Sequence, residues 1–242
     1  MSTTTDPDRT SAISDQQRTF FAAYGYLRLP GWFASEIDAL SSAFDEVFAS
    51  PDIPRLEANI VGHRFEPWAV IAEFAERHPR LEALTTDARL IGVAEALLGT
   101  GARYENSEGN LFRCITDWHY DSPMSLLEHR HLKIGFYLEP LTADTGALRV
   151  LPASHHDPSL YRGPLEPCLG FDGAIESRIG VRSEDLPSWA IPTEPGDLVV
   201  WDYRLLHGAF GSTRLRRQFA LNYVGPTPVG APVPIGAPDG SY

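Results

Sequence analysis

The sequence predicts an α+β fold in which helices pack on one face of an antiparallel β sandwich or barrel. Three observations lead there. Apolar residues recur at helical spacing through much of the first hundred residues, and beyond Gly101 short strand-like runs bounded by Gly, Pro, Asp and Ser take over. The chain also carries 20 glycines and 20 prolines among its 242 residues, about 17% against the ~12% of average usage, which excludes a helix bundle.

Taken in order, Ser14 precedes Asp15, Gln16 and Gln17, which puts Gln17 at the N3 place of a capping box, and Phe20, Phe21 and Tyr24 follow at helical spacing. A first helix is expected from Asp15 to Tyr24, stopped by Gly25. Tyr26-Leu27-Arg28-Leu29 reads as a short strand ended by Pro30-Gly31. Ser35 is expected to cap a second helix bearing Ile37, Leu40, Phe44, Val47 and Phe48, with further helices over residues 68–78 and 88–98. Strands are expected over residues 110–116, 131–138, 148–151, 198–201 and 218–224. Residues 157–195, polar and rich in Pro and Gly, read as one long loop, and such a loop in a compact domain is usually functional.

Length and composition bound the rest. One domain is expected over residues 14–242, after a disordered leader over residues 1–13 whose polar text lacks the basic start and apolar core of a signal peptide. A net charge of −12 argues against a binder of phosphate backbones or anionic membranes, which needs a basic face. No run of about 18 apolar residues suggests a membrane span. Cys114 and Cys168 are too few for a disulfide framework and form no C-x-x-C pair, so a cytoplasmic location is expected. The expected partner is a small-molecule substrate, not nucleic acid or membrane, with the chain a monomer or homodimer.

The sharpest local feature is Trp118-His119-Tyr120-Asp121. In an extended strand residues i and i+2 share a face, so the imidazole of His119 and the carboxylate of Asp121 would converge. His207 closes the run that begins at Gly196 and supplies a third candidate. Two imidazoles and one carboxylate form the facial triad of non-haem Fe(II), which leaves coordination sites open. An isolated H-x-D arises by chance in a chain with eight histidines and 32 acidic residues, but strand placement and the arginines within ten residues of His207 strengthen this one. The same ligand set would serve a zinc or manganese hydrolase or isomerase, and an inactive sandwich kept as a binding protein is a third reading.

Beyond these residues, the chain resembles the phytanoyl-CoA dioxygenase family of Fe(II)/2-oxoglutarate oxygenases, from about Ser14 to Val224. Phe20-Phe21-Ala22-Ala23-Tyr24-Gly25-Tyr26 and Pro30-Gly31-Trp32-Phe33 resemble the family's opening helix, strand and next helix. Gly135-Phe136-Tyr137-Leu138, followed by Thr145-Gly146-Ala147-Leu148-Arg149-Val150-Leu151-Pro152-Ala153-Ser154-His155, resembles its central block. The resemblance implies a double-stranded β-helix (jelly-roll, cupin-like) core, and Fe(II) held by His119, Asp121 and His207 with 2-oxoglutarate and O2 as co-substrates. It also implies an arginine on the last core strand for the distal carboxylate of 2-oxoglutarate, a task for which the rigid guanidinium fork is suited.

Arg214, Arg216 and Arg217 compete for that role. The gap after His207 is shorter than the family's usual one. Arg216 shares a strand face with Gln218, Ala220 and Asn222, small and polar neighbours that resemble the family's cofactor side, so Arg216 is favoured and Arg217 is the alternative. Ala209 stands where many members carry a serine that touches 2-oxoglutarate. Lys133, the only lysine beside nineteen arginines, lies in phase with Gly135 and Tyr137, and these make Lys133 and Tyr137 further cofactor candidates; a solvated surface lysine is the alternative. His155 resembles a structural histidine of the family, and His129 and His131 are read as loop residues. Trp118 and Tyr120 are read as packing neighbours.

The resemblance implies oxidative decarboxylation to succinate and carbon dioxide coupled to hydroxylation of an unactivated C–H bond. Because Asp121 keeps the carboxylate that related halogenases replace, oxygenation is expected, with desaturation, ring closure or epimerisation as other outcomes. Residues 157–195 and the region 55–68 are expected to cover the pocket, with Arg64, Trp68, Arg162 and Arg178 as anchors or plain surface groups. No basic patch suggests a CoA ester, and by analogy the chain reads as a natural-product tailoring enzyme.

Overall fold

A computed structural model describes residues 13–58, 68–112, 115–122, 127–156, 160–169, 174–211 and 215–229. The expected leader through residue 12 lies outside them, and Ile13 is buried. Helix α1 (Asp15–Tyr24) begins as its capping box dictates: Ser14 Oγ accepts from Gln17 N at 3.2 Å, and Gln17 Oε1 accepts from Ser14 N at 2.9 Å. It ends at Gly25, whose φ of 82° favours glycine, and a Cβ there would stand 2.5 Å from His155 Nδ1. Strand β1 (Tyr26–Leu29) follows, then α2 (Ile37–Ala49). Glu36, not Ser35, stands at the N-cap of α2 and makes no side-chain cap, so the apolar stripe of this helix fixes it in place of a cap.

The helix expected over residues 68–78 is a strand, β3 (Trp68–Ala72), followed by a single 3-10 turn at Ala75–Arg77. The apolar run from Ala69 to Ala72 is too short for its period to separate the two, and pairing with β4 (Arg103–Phe112) decides. Strand β2 (Leu56–Ala58) extends the same edge, so the first hundred residues are less helical than expected. Helices α3 (Pro79–Glu82) and α4 (Ala88–Leu98) come between, the latter capped by Asp87 Oδ1 on Arg89 N at 2.8 Å.

Thereafter come β5 (Thr116–His119), β6 (His129–Tyr137), β7 (Leu148–Val150), α5 (Arg162–Leu165), α6 (Ala174–Ile179), β8 (Trp189–Ile191), β9 (Leu198–Asp202), β10 (His207–Ala209) and β11 (Arg216–Pro228). The single strand expected over residues 110–116 is thus two, the end of β4 and the start of β5. His129 and His131 lie on β6 and not in a loop: His131 pairs with Val224, and its Nε2 stands 3.3 Å from Glu105 Oε2. The expected long loop over residues 157–195 contains α5, α6 and β8, elements too short to show a period in the sequence.

The strands form two antiparallel sheets, one ordered β1-β9-β6-β11-β4-β3-β2 and the other β5-β10-β7-β8, facing each other as a jelly roll. Register sorts the large sheet by face. Ile134, Phe136, Leu198, Val200, Phe219 and Leu221 join Leu40, Phe44, Leu90 and Val93 of α2 and α4 in the main core. Their strand neighbours Lys133, Gly135, Tyr137, Trp201, Gln218 and Asn222 face the other way, toward the small sheet. Between the sheets Tyr137, Val199 and Trp201 meet Ala147, Leu148, Val150 and Ile191. A third cluster, with Trp118, Leu165, Cys168, Ile175 and Leu186, buries the outer face of the small sheet beneath residues 160–169 and 174–186. No helix among the described residues is long and apolar enough to cross a membrane.

Phe136 is fully buried and stacks on Phe219 with ring centroids 4.5 Å apart, where the large sheet meets its helices. Phe136→Ala is expected to lower the unfolding free energy by about 3–5 kcal/mol in urea titration, the usual cost of emptying an aromatic core site.

Candidate metal centre

The pairing of β10 with β5 sets His207 opposite His119, with their ring centroids 4.2 Å apart. His207 does not close the run that begins at Gly196. That run ends with β9, and the chain turns through Tyr203–Leu206 into the other sheet before His207. Asp121 lies two residues past His119, just beyond β5, where its backbone N donates to Tyr203 O at 3.0 Å. One ligand atom from each of His119, Asp121 and His207 lies within 4.8 Å of the others, the one such cluster among the described residues.

Their chemistry fits a divalent ion. His119 Nδ1 stands 2.8 Å from Asp117 O, and His207 Nδ1 stands 2.8 Å from Leu205 O. A ring nitrogen facing a carbonyl carries the proton, so each Nε2 keeps its lone pair for the ion. Burial, reinforced by His119, pushes the His207 pKa down to about 3, so the imidazole is neutral. Burial pushes the Asp121 carboxyl upward, but Lys133, His207 and His119 outweigh it and hold the pKa at about 2, so the carboxylate is ionised. Asp121 Oδ1 accepts from Lys133 Nζ at 2.5 Å, and Oδ2 accepts from Trp201 Nε1 at 2.9 Å. Two imidazoles that present Nε2 and one oriented carboxylate match the preference of Fe(II).

The cavity beside them is walled by Thr116, Tyr137, Leu148, Ala209, Arg216 and Gln218. The two competing arginines part at β11. Arg216 is buried on the cavity side, over the Phe112 ring, and its Nη1 donates to Gly146 O at 2.5 Å. Arg217 turns to the helix side, donating to Glu139 Oε1 at 2.6 Å and Asp45 Oδ2 at 2.7 Å. Arg214 lies outside the described residues. Lys133 is not on a solvated surface: its Nζ bridges Asp121 and Glu108 Oε1, the latter at 2.9 Å. Ala209 pairs with Thr116, which brings a hydroxyl side chain to the cavity wall where the serine is missing.

Sequence reasoning missed Glu108, Trp201 and Thr116. Glu108 was legible in one way only, as part of the alternation Asn106, Glu108, Asn110 along one face of β4. The other residues singled out lie elsewhere. His155 Nε2 stands 3.2 Å from Ala22 O beneath α1, Trp118 is buried in the outer cluster, and Tyr120 donates to Glu166 Oε1 at 3.1 Å. Of the anchor candidates Arg178 is exposed on α6, Arg64 lies outside the described residues, and so do the side chains of Trp68 and Arg162.

An ion held by two imidazoles and one carboxylate inside a jelly roll keeps places open for small molecules, so fold and site define a non-haem metalloenzyme. Residues 21–218 match the model of the phytanoyl-CoA dioxygenase (PhyH) family, and the chain belongs to that family. It is accordingly a non-haem Fe(II)- and 2-oxoglutarate-dependent dioxygenase with O2 as co-substrate, which displaces the hydrolase and inactive-sandwich readings. The ectoine dioxygenase of Sphingopyxis alaskensis is 27% identical over 220 residues, covering 83% of this chain and 71% of that protein. Among solved structures, SnoK, an α-ketoglutarate-dependent carbocyclase from nogalamycin biosynthesis, superposes with a TM-score of 0.68 at 21% identity, over 88% of this chain and 84% of its own. The epimerase SnoN from the same biosynthesis gives 0.68 at 20% identity, over 93% and 87%; it has also been solved with Fe3+ and α-ketoglutarate.

A pH dependence follows for the metal-free protein. Burial also lowers the His155 pKa, from 6.5 to about 4, so both His155 and His207 are neutral in the fold and ordinary in the unfolded chain. Between about pH 6.5 and pH 4 the unfolded state binds more protons, so stability falls as the pH falls, by about 1.4 kcal/mol per unit for each histidine well below pH 6.5. Asp121 has the depressed pKa of a paired carboxylate, and its stabilisation is lost only below about pH 4. Urea unfolding from about pH 6.5 to 4.5 should show the slope, and His155→Gln should roughly halve it; a flat profile would show that the histidines are not buried neutral.

Proposed function

We propose that the protein hydroxylates an unactivated C–H bond of a small molecule in natural-product tailoring, releasing succinate and carbon dioxide. The convergence of His119, Asp121 and His207 within 4.8 Å beside a buried guanidinium carries this reading. His119, Asp121 and His207 would hold the iron, and Arg216 would pair with the distal carboxylate of 2-oxoglutarate with Tyr137 beside it. When bound, Fe(II) with 2-oxoglutarate would activate O2, whose reduction supplies the oxidising power for attack on the C–H bond.

The protein's own groups prepare the site. Asp117 O and Leu205 O hold the imidazoles in the tautomer that presents Nε2 inward. Lys133 and Trp201 fix the plane of the Asp121 carboxylate. Leu148, Trp201 and Phe112 exclude water around the cavity, which strengthens each polar contact within it. The likeness to a carbocyclase and an epimerase supports a second outcome, ring closure or epimerisation, in which the placement of the substrate diverts the same oxidation.

Purified protein with Fe(II) and candidate natural products should convert 2-oxoglutarate to succinate, and Asp121→Ala should reduce this to background. Production of succinate by Asp121→Ala at the wild-type rate would sink the assignment. Arg216→Ala should raise the 2-oxoglutarate concentration for half-maximal rate by roughly tenfold or more, the loss of a charge-assisted hydrogen bond. Arg217→Ala should leave that concentration within about twofold, because its guanidinium is already bound to Glu139 and Asp45.

A further inference from the structure

Lys133 is the chain's only lysine and it sits where lysines are rare, buried in the middle of β6 behind the metal centre. Its Nζ bridges Asp121 Oδ1 at 2.5 Å and Glu108 Oε1 at 2.9 Å, and it lies 5.8 Å from the Trp201 ring centroid and 5.6 Å from that of Tyr203. Both carboxylates line the same cavity, and a single ammonium reaches both. Asp121 has a second holder in Trp201 Nε1, whereas among the described residues Glu108 takes its other side-chain bond from Asn110 Nδ2 alone, at 3.3 Å. Glu108 stands outside the group of three that converges on the ion position.

We infer that Lys133 is a positioning residue that keeps the metal centre open: it pairs with Glu108 and so denies a second carboxylate to the ion that His119, Asp121 and His207 would hold. The nearly buried Asp121 carboxylate and the half-buried one of Glu108 repel without a cation between them, and a divalent ion is the strongest partner either could find. With the lysine gone, Glu108 is drawn toward the ion and takes a coordination place that 2-oxoglutarate needs. The ammonium acts here as a block on ligation, through charge pairing and not through contact with the co-substrate. This inference rests on the reading of the three ligands given above.

Calorimetric titration tests it without turnover, using Mn(II) as a redox-inert probe and then 2-oxoglutarate added to the Mn(II)-loaded protein. Lys133→Met is expected to keep Mn(II) binding but to weaken 2-oxoglutarate by roughly tenfold or more, the range seen when an outer partner of a metal ligand is lost. Adding Glu108→Gln to Lys133→Met removes the intruding carboxylate and should return 2-oxoglutarate affinity to within about threefold of wild type. A double variant as weak as the single one would overturn the inference and leave Lys133 acting through Asp121 alone. So would a Lys133→Met protein with wild-type 2-oxoglutarate affinity. If Lys133→Met fails to give a cooperative melt, the double variant decides by itself: near-wild-type binding supports the block on ligation, and weak binding overturns it. A wild-type chain that takes up neither Mn(II) nor 2-oxoglutarate overturns the reading of the ligands, and this inference with it.

Discussion

The metal centre depends on the four residues by which the chain leaves one sheet and enters the other, between Asp202 and His207. Asp202 is fully buried, and its carboxylate accepts from Arg204 N at 3.0 Å, Arg204 Nε at 2.7 Å and Arg204 Nη2 at 2.6 Å, with Arg130 Nη2 at 3.4 Å. Asp202 N donates to Gly25 O, which ties the turn to the end of α1, and Leu206 N donates to Ser154 Oγ. A buried carboxylate is tolerated only when it is this fully bonded, so the turn has one shape. That shape delivers His207 opposite His119, and the Tyr203 carbonyl within it receives Asp121 N. Three ligands from two distant parts of the chain are thereby placed by backbone pairing, and their side chains need little conformational freedom to converge.

The large sheet serves two solvents at once. Its helix side is apolar and close-packed, and supplies the burial that holds the domain together. Its inner side carries Lys133, Glu108, Asn110, Arg216 and Gln218, a polar set that would be costly to bury without partners. The partners are present: Asn110 Nδ2 donates to Gln218 Oε1, and Lys133 answers Glu108 and Asp121. Alternation along β6 and β11 is what lets neighbouring residues belong to these two environments, and Arg216 beside Arg217 is the clearest instance.

Local signals made part of this legible from the residues alone. The capping box at Ser14, the stop at Gly25 and the run Ala88–Leu98 each depend on neighbours in sequence, and the helices they define have the expected bounds. The H-x-D pair was visible for the same reason, and strand alternation favoured Arg216 on the cavity side. Residues 68–78 misled because an apolar stretch of a few residues satisfies both periods, and a distant partner strand chose between them. Most of β4 shows no alternating apolar face in the sequence, because Glu108 and Asn110 face the cavity while Arg103, Glu105 and Asn106 are exposed. The bridge from Lys133 to Glu108 and Asp121 joins β6, β4 and the segment just past β5, and no spacing in the text announces a contact of that kind.

The seclusion of Lys133 reaches beyond the metal. The chain has no other ε-amine, and this one is buried and ion-paired. Reagents that acylate surface lysines therefore find none to attack in the folded protein, so dyes or solid supports coupled through amines would join it at the terminal α-amino group and leave the oxygenase centre chemically untouched.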